Sequence, residues 1–119
     1  MDALMEKARE LGRMLSQTYE YQALRRANRR VAEERDLNEK LDRLAEVQRG
    51  LLAAMERGET PGPELRAEYD RLLEEVQAEP AYQALVAAQE NFDRLMRRVN
   101  DAIARGVEAG EQSRIILPT

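Results

Sequence analysis

The chain has 119 residues, the size of one domain, with 43% hydrophobic, 35% charged and only 4% aromatic side chains, and with no cysteine and no histidine. That excludes disulfides, thiolate nucleophiles and cysteine-held metal clusters, and removes the commonest general base and transition-metal ligand. A net charge of −4 argues against a general polyanion binder, although the charge is uneven: residues 1–35 hold eight basic and six acidic side chains, residues 36–119 eleven and seventeen.

The apolar set is mostly Leu, Ala, Val and Met, which suits helices; strands favour β-branched and aromatic residues. The first predicted helix carries Leu4, Ala8, Leu11 and Leu15 at helical spacing. Ser16-Gln17-Thr18 then offers capping oxygens, and Leu24, Ala27 and Val31 resume the spacing, so the break reads as a corner or a kink. Asp36-Leu37-Asn38-Glu39 has the form of a capping box. Behind it Leu37, Leu41, Leu44, Gln48, Leu51 and Met55 form a heptad seam with one polar member. Gln48 reads either as a register-setting buried amide or as the seam's edge.

Arg57-Gly58 is the expected helix stop, Glu59-Thr60-Pro61-Gly62-Pro63 a loop, and Pro63 suits a first helical position. Leu65, Tyr69, Leu72 and Val76 follow at helical spacing. Glu79-Pro80 predicts a kink or a fresh start. The last helix carries Leu85, Ala88, Phe92, Leu95, Val99 and Ile103 and is expected to stop near Arg105-Gly106. Residues 1–108 thus read as a single helical domain and 109–119 as a flexible tail, with Ile115-Ile116-Leu117 as a latch or a partner-binding strand.

The predicted fold class is all-α: a kinked helical hairpin bundle of four to five amphipathic helices. The short 58–62 loop makes its flanking helices antiparallel neighbours, beside an N-terminal helix pair. One chain of this size buries its stripes poorly, so a homodimer is expected. Its seam would use Leu37, Leu41, Leu44, Gln48, Leu51, Met55, Leu85, Phe92, Leu95 and Val99. Tyr21-Gln22-Ala23-Leu24 also recurs as Tyr82-Gln83-Ala84-Leu85, 61 residues later, each after a break, with Ala27 and Ala88 at equivalent places. This is either chance or two helix starts that pack alike.

Candidate chemistry is sparse. Glu33-Glu34 and Glu74-Glu75 fall between apolar positions and read as solvated surface, since a metal site in a bundle typically pairs inward carboxylates with Glu-x-x-His. Ser16 and Ser113 have no base to activate them. The expectation is no catalytic, metal or cofactor site, no small-molecule substrate, and no enzyme. No apolar run reaches the ~18 residues of a membrane span, and the acidic N-terminus lacks a signal peptide's apolar core, so the cytoplasm is the expected location. Arg25, Arg26, Arg29 and Arg30 stack in i,i+4 pairs. They read first as a solvated or partner-docking face. The alternative is an RNA-binding accessory face making salt-sensitive phosphate contacts, although no aromatic interleaves them.

The order of these features resembles the YlbF/YmcA/YheA family of small bacterial proteins. The likeness runs over roughly residues 2–107. It is carried by Ser16, Tyr19 and Tyr21, then Leu37-Asn38-Glu39-Lys40-Leu41, then the segment from Pro80 through Tyr82 and Ala88 to Phe92-Asp93-Arg94-Leu95-Met96-Arg97-Arg98-Val99-Asn100-Asp101-Ala102-Ile103. The resemblance implies an all-helical protein found as a homodimer or with paralogues. It also implies an adaptor role, in which some members help RNase Y choose transcripts, affecting competence, sporulation and biofilm formation. Some members carry C-terminal cysteines associated with an iron–sulfur cluster; this chain has none and is nearer the cysteine-free, YheA-like branch.

Overall fold

A computed structural model describes residues 2–116, with side chains described through Gln112. Five helices and no strand are present among the described residues: α1 (Asp2–Ser16), α2 (Tyr19–Glu33), α3 (Arg35–Glu56), α4 (Pro63–Gln77) and α5 (Pro80–Ile116).

The joints follow from local chemistry. The break after Ser16 is a corner. Thr18 caps α2, its Oγ1 accepting the Tyr21 N–H at 3.2 Å, and the Gln22 amide reaches back to donate to the Ser16 carbonyl at 2.7 Å. Asp36 and Glu39 do not form the expected capping box. Glu34 is the single non-helical residue between α2 and α3, so Asp36 already lies in α3's first turn. The Asn38 amide instead donates to the carbonyls of Val31, Ala32 and Glu34, tying the end of α2 to the start of α3.

After α3, Gly58 adopts φ 73°, the left-handed conformation glycine tolerates best. The Gly58 and Glu59 N–H groups donate to Met55 and Ala54, closing a Schellman stop. Pro63 opens α4 and Pro80 opens α5, the second being a fresh start rather than a kink. The expected stop at Arg105-Gly106 does not occur. A glycine ends a helix by turning left-handed, and only Gly58 does so, so α5 runs on through Gly106 and Gly110 to Ile116. Leu117 lies outside the described residues, as do the Ile115 and Ile116 side chains.

Two antiparallel pairs make the body: α2 with the first half of α5, and α3 with α4. Val31, Leu37, Val76 and Ala81 form one buried cluster, and Leu24, Ala27 and Ala88 form another. The expected N-terminal pair is not present: α2 spends its apolar face on α5, and α1 meets only α2, near their corner, with none of its side chains buried. The molecule is consequently long, 70 × 38 × 23 Å, with a radius of gyration of 21.7 Å. A compact chain of this length would have a radius of about 13.5 Å.

Candidate interaction surfaces

Arg25, Arg26, Arg29 and Arg30 are all exposed on one side of α2. Among the described residues, none has a carboxylate within ion-pair distance. The Arg26 guanidinium lies 5.9 Å from the ring centroid of Tyr19, which is 74% exposed. An aromatic therefore does adjoin the cluster. Tyr19 precedes Arg26 by seven positions, two helical turns, so it shares that face without interleaving the arginines in sequence. Arg26 and Arg30 border a groove of about 390 Å³ between α2 and α5, floored by Ala23, Ala27, Ala84, Ala87 and Ala88.

The expected self-association seam is divided by the chain's own packing. Leu37 is fully buried, so it is not available to a second copy, while Leu41, Leu44, Leu51, Leu85, Phe92, Leu95 and Val99 are half-buried. Gln48 and Met55 are exposed, and the buried residues of α3's second half are Val47 and Ala54. At 100° per residue Gln48 and Met55 do share Leu37's side of the helix. The cluster that covers Leu37 ends before reaching them, however, and α4 covers a face about 80–100° further round. Sequence spacing finds the stripe but not where its cover stops.

Between the pairs lies a charged cleft of about 570 Å³, lined by Glu34, Asp36, Lys40, Arg43 and Glu79 among others. Lys40 pairs with Glu79 at 3.3 Å, joining the start of α3 to the α4–α5 corner. Arg43 grips Glu68 of α4 through two hydrogen bonds of 2.7 and 2.8 Å. The hydrogen bond from Arg43 holds the Glu68 carboxyl below its ordinary range, and the bonds to Glu68 and then Glu46 raise the Arg43 guanidinium. These pairs clamp helices together; no group of three carboxylates converges as a metal would require among the described residues.

Residues 4–108 match the family described as control of competence regulator ComK, YlbF/YmcA. The chain belongs to this family. The match takes in all five helices and ends inside α5 beyond Gly106, so the unbroken run of that helix falls within the family's extent up to Glu108. A UPF0342 protein from Leuconostoc mesenteroides subsp. mesenteroides is 24% identical over 104 residues, 87% of this chain and 89% of the relative. The YlbF/YmcA family is a regulatory one and not a known enzyme family. No helix among the described residues is long and apolar enough to cross a membrane.

Proposed function

We propose that this chain is a non-catalytic regulatory adaptor of the cytoplasm. It associates with itself through bare helix faces and docks an acidic helical segment of a partner protein on the Arg25–Arg30 face. Four exposed arginines with no ion pair among the described residues, two of them, Arg26 and Arg30, bordering an alanine-floored groove, are the observation that carries this reading. Small side chains let a second helix approach to about 8 Å, and arginine forks match carboxylates in two-pronged hydrogen bonds. The family's link to competence control supplies the context, and the resemblance extends it to family paralogues and an RNase Y-containing RNA-processing complex. No cofactor or substrate enters the mechanism: the protein changes what its partner meets.

The test is complementation in the native organism. A chain with Arg25, Arg26, Arg29 and Arg30 all changed to Glu keeps its circular dichroism spectrum and sedimentation behaviour but fails to restore control of the competence regulator. Full complementation by that variant would overturn the docking face.

Tyr19 beside Arg26 also supports direct RNA contact, with a base stacked on the ring and phosphates on the arginines. Titration of single-stranded RNA across salt separates the two. Binding that weakens with salt and is lost in Tyr19→Ala favours RNA, and no binding by the wild type at low salt removes it.

A further inference from the structure

The 61-residue echo is the visible part of a duplication in the fold. Adding 61 to the bounds of α1 (Asp2–Ser16) gives those of α4 (Pro63–Gln77), and adding 61 to the start of α2 (Tyr19) gives that of α5 (Pro80). The corner bond repeats as well: Gln22 donates to the Ser16 carbonyl at 2.7 Å and Gln83 to the Gln77 carbonyl at 2.8 Å. Equivalent residues meet across the α2–α5 pair. Ala27 and Ala88 share one cluster, with Leu85 packed against it beside Leu24. The Tyr21–Phe92 ring pair, with centroids 5.7 Å apart, has its counterpart in Tyr82 against the cluster containing Val31. The α2–α5 pair thus has a local two-fold that passes close to Ala27 and Ala88.

The alanine-floored groove sits on that axis. The two-fold exchanges Ala23 with Ala84 and Ala27 with Ala88, so the floor reads alike from either side. The walls do not. Arg26 exchanges with Ala87 and Arg30 with Asn91, so the α2 wall carries two positive charges and the α5 wall none. Beyond the groove, Arg25 exchanges with Val86 and Arg29 with Glu90. None of the four arginines has a basic counterpart, and one counterpart is an acid. Helical geometry also divides the four. At 100° per residue Arg26 and Arg30 lie about 20–60° from Ala23 around α2, whereas Arg25 and Arg29 lie about 120–160° away. Only the first two border the groove, with the Tyr19 ring beside Arg26.

We infer that the groove seats a single helix of a partner protein in one fixed sidedness. Two carboxylates four residues apart on one edge of that helix meet Arg26 and Arg30. A strip of small side chains lies on the alanine floor, and the opposite edge, against Ala87 and Asn91, is uncharged. This rests on the partner-docking reading above and deepens it: two of the four arginines do the binding, and the partner's second edge is specified. Charge complementarity selects the occupant. Tyr19 to Arg30 spans about 17 Å, three turns, and arginines four apart on one helix match carboxylates four apart on another laid alongside. Alanines on the floor let the two backbones approach closely, as larger side chains would not. A strand of RNA, with phosphates along its whole length, is served best by basic side chains on both walls of a groove. Here the α5 wall offers none, and the exposed Glu90 beyond it repels phosphate.

The test titrates three probes into the full, isotope-labelled chain and follows its amide signals by NMR. One probe is an alanine-rich helical peptide of about four turns with two glutamates four apart on one edge. The second has the same composition with the glutamates on opposite edges, and the third is a single-stranded RNA oligonucleotide. The one-edged peptide is expected to move the amides of Ala23, Ala27, Ala84 and Ala88, and the two-edged peptide to bind roughly tenfold more weakly, having lost one arginine contact. Arg26→Gln with Arg30→Gln weakens the one-edged peptide by about tenfold or more, whereas Arg25→Gln with Arg29→Gln changes it by less than about threefold. Ala87→Leu, which fills the groove from an exposed position, matches the first pair. All these substitutions are at exposed positions, so circular dichroism stays unchanged. Equal losses from the two arginine pairs, or equal binding of the two peptides, would overturn the seat and leave acidic-helix docking standing. Tighter binding of RNA than of the one-edged peptide overturns the helix as occupant. Groove amides that shift with protein concentration alone overturn it in favour of a second copy. If neither peptide moves any α2 amide at millimolar concentration, the seat and the docking reading fall together.

Discussion

Single residues decide the joints and the clamps. Val47 is 1% exposed while its neighbour Gln48 is exposed, so adjacent substitutions differ sharply. Val47→Ala is expected to destabilise the chain by about 1–3 kcal/mol through lost burial and a cavity, and Gln48→Ala by within about 0.5 kcal/mol. The shift of the urea midpoint measures both. Glu68 supplies a pH dependence of known sign. Its folded carboxyl titrates below the ordinary range because Arg43 hydrogen-bonds it, so its contribution is present above its unfolded pKa and is lost as pH falls through the folded one. The gap in melting temperature between wild type and Glu68→Gln therefore narrows as pH drops below about 4.

At the scale of helices, the two kinds of glycine part company. Gly58→Ala forces a Cβ into the left-handed region and is expected to cost about 1–2 kcal/mol. Gly106→Ala stays helical with open space around it, so it leaves the chain's own fold no less stable, as thermal melts of a dilute sample will show. Most helix limits were legible because their causes are local: Thr18, Gly58, Pro63 and Pro80 act on neighbours a few residues away. Gly106 misled because glycine permits a left-handed turn without compelling one. The capping box at Asp36 misled because the near-continuity of α2 and α3 moves the N-cap two residues upstream to Glu34, which makes no side-chain cap, while Asn38 ties down the carbonyls at the end of α2.

For the whole molecule, length and surface dominate. A chain with two largely uncovered amphipathic ends and a paired middle is expected to show uneven hydrogen exchange. Amides of α1 and of residues 96–112 gain protection as concentration rises from dilute to micromolar and above. Those of α2 and the first half of α5 keep theirs at every concentration. Uniform, concentration-independent protection along the chain would contradict self-association through these faces.

Spacing, caps and composition by themselves determined the helices, the hairpin loop and the absence of cysteine and histidine chemistry, because each acts over a few residues or none. The arginine face was also readable, since i,i+4 neighbours share a side of any helix. The tertiary structure alone decided that α2 pairs with α5 and leaves most of α1 uncovered, that Val47 and Ala54 are buried where Gln48 and Met55 are not, and that α3 folds back on α4 while α5 runs unbroken. Those outcomes depend on which stripe meets which across tens of residues of chain. Periodicity shows that a face must be covered but carries no information about what covers it.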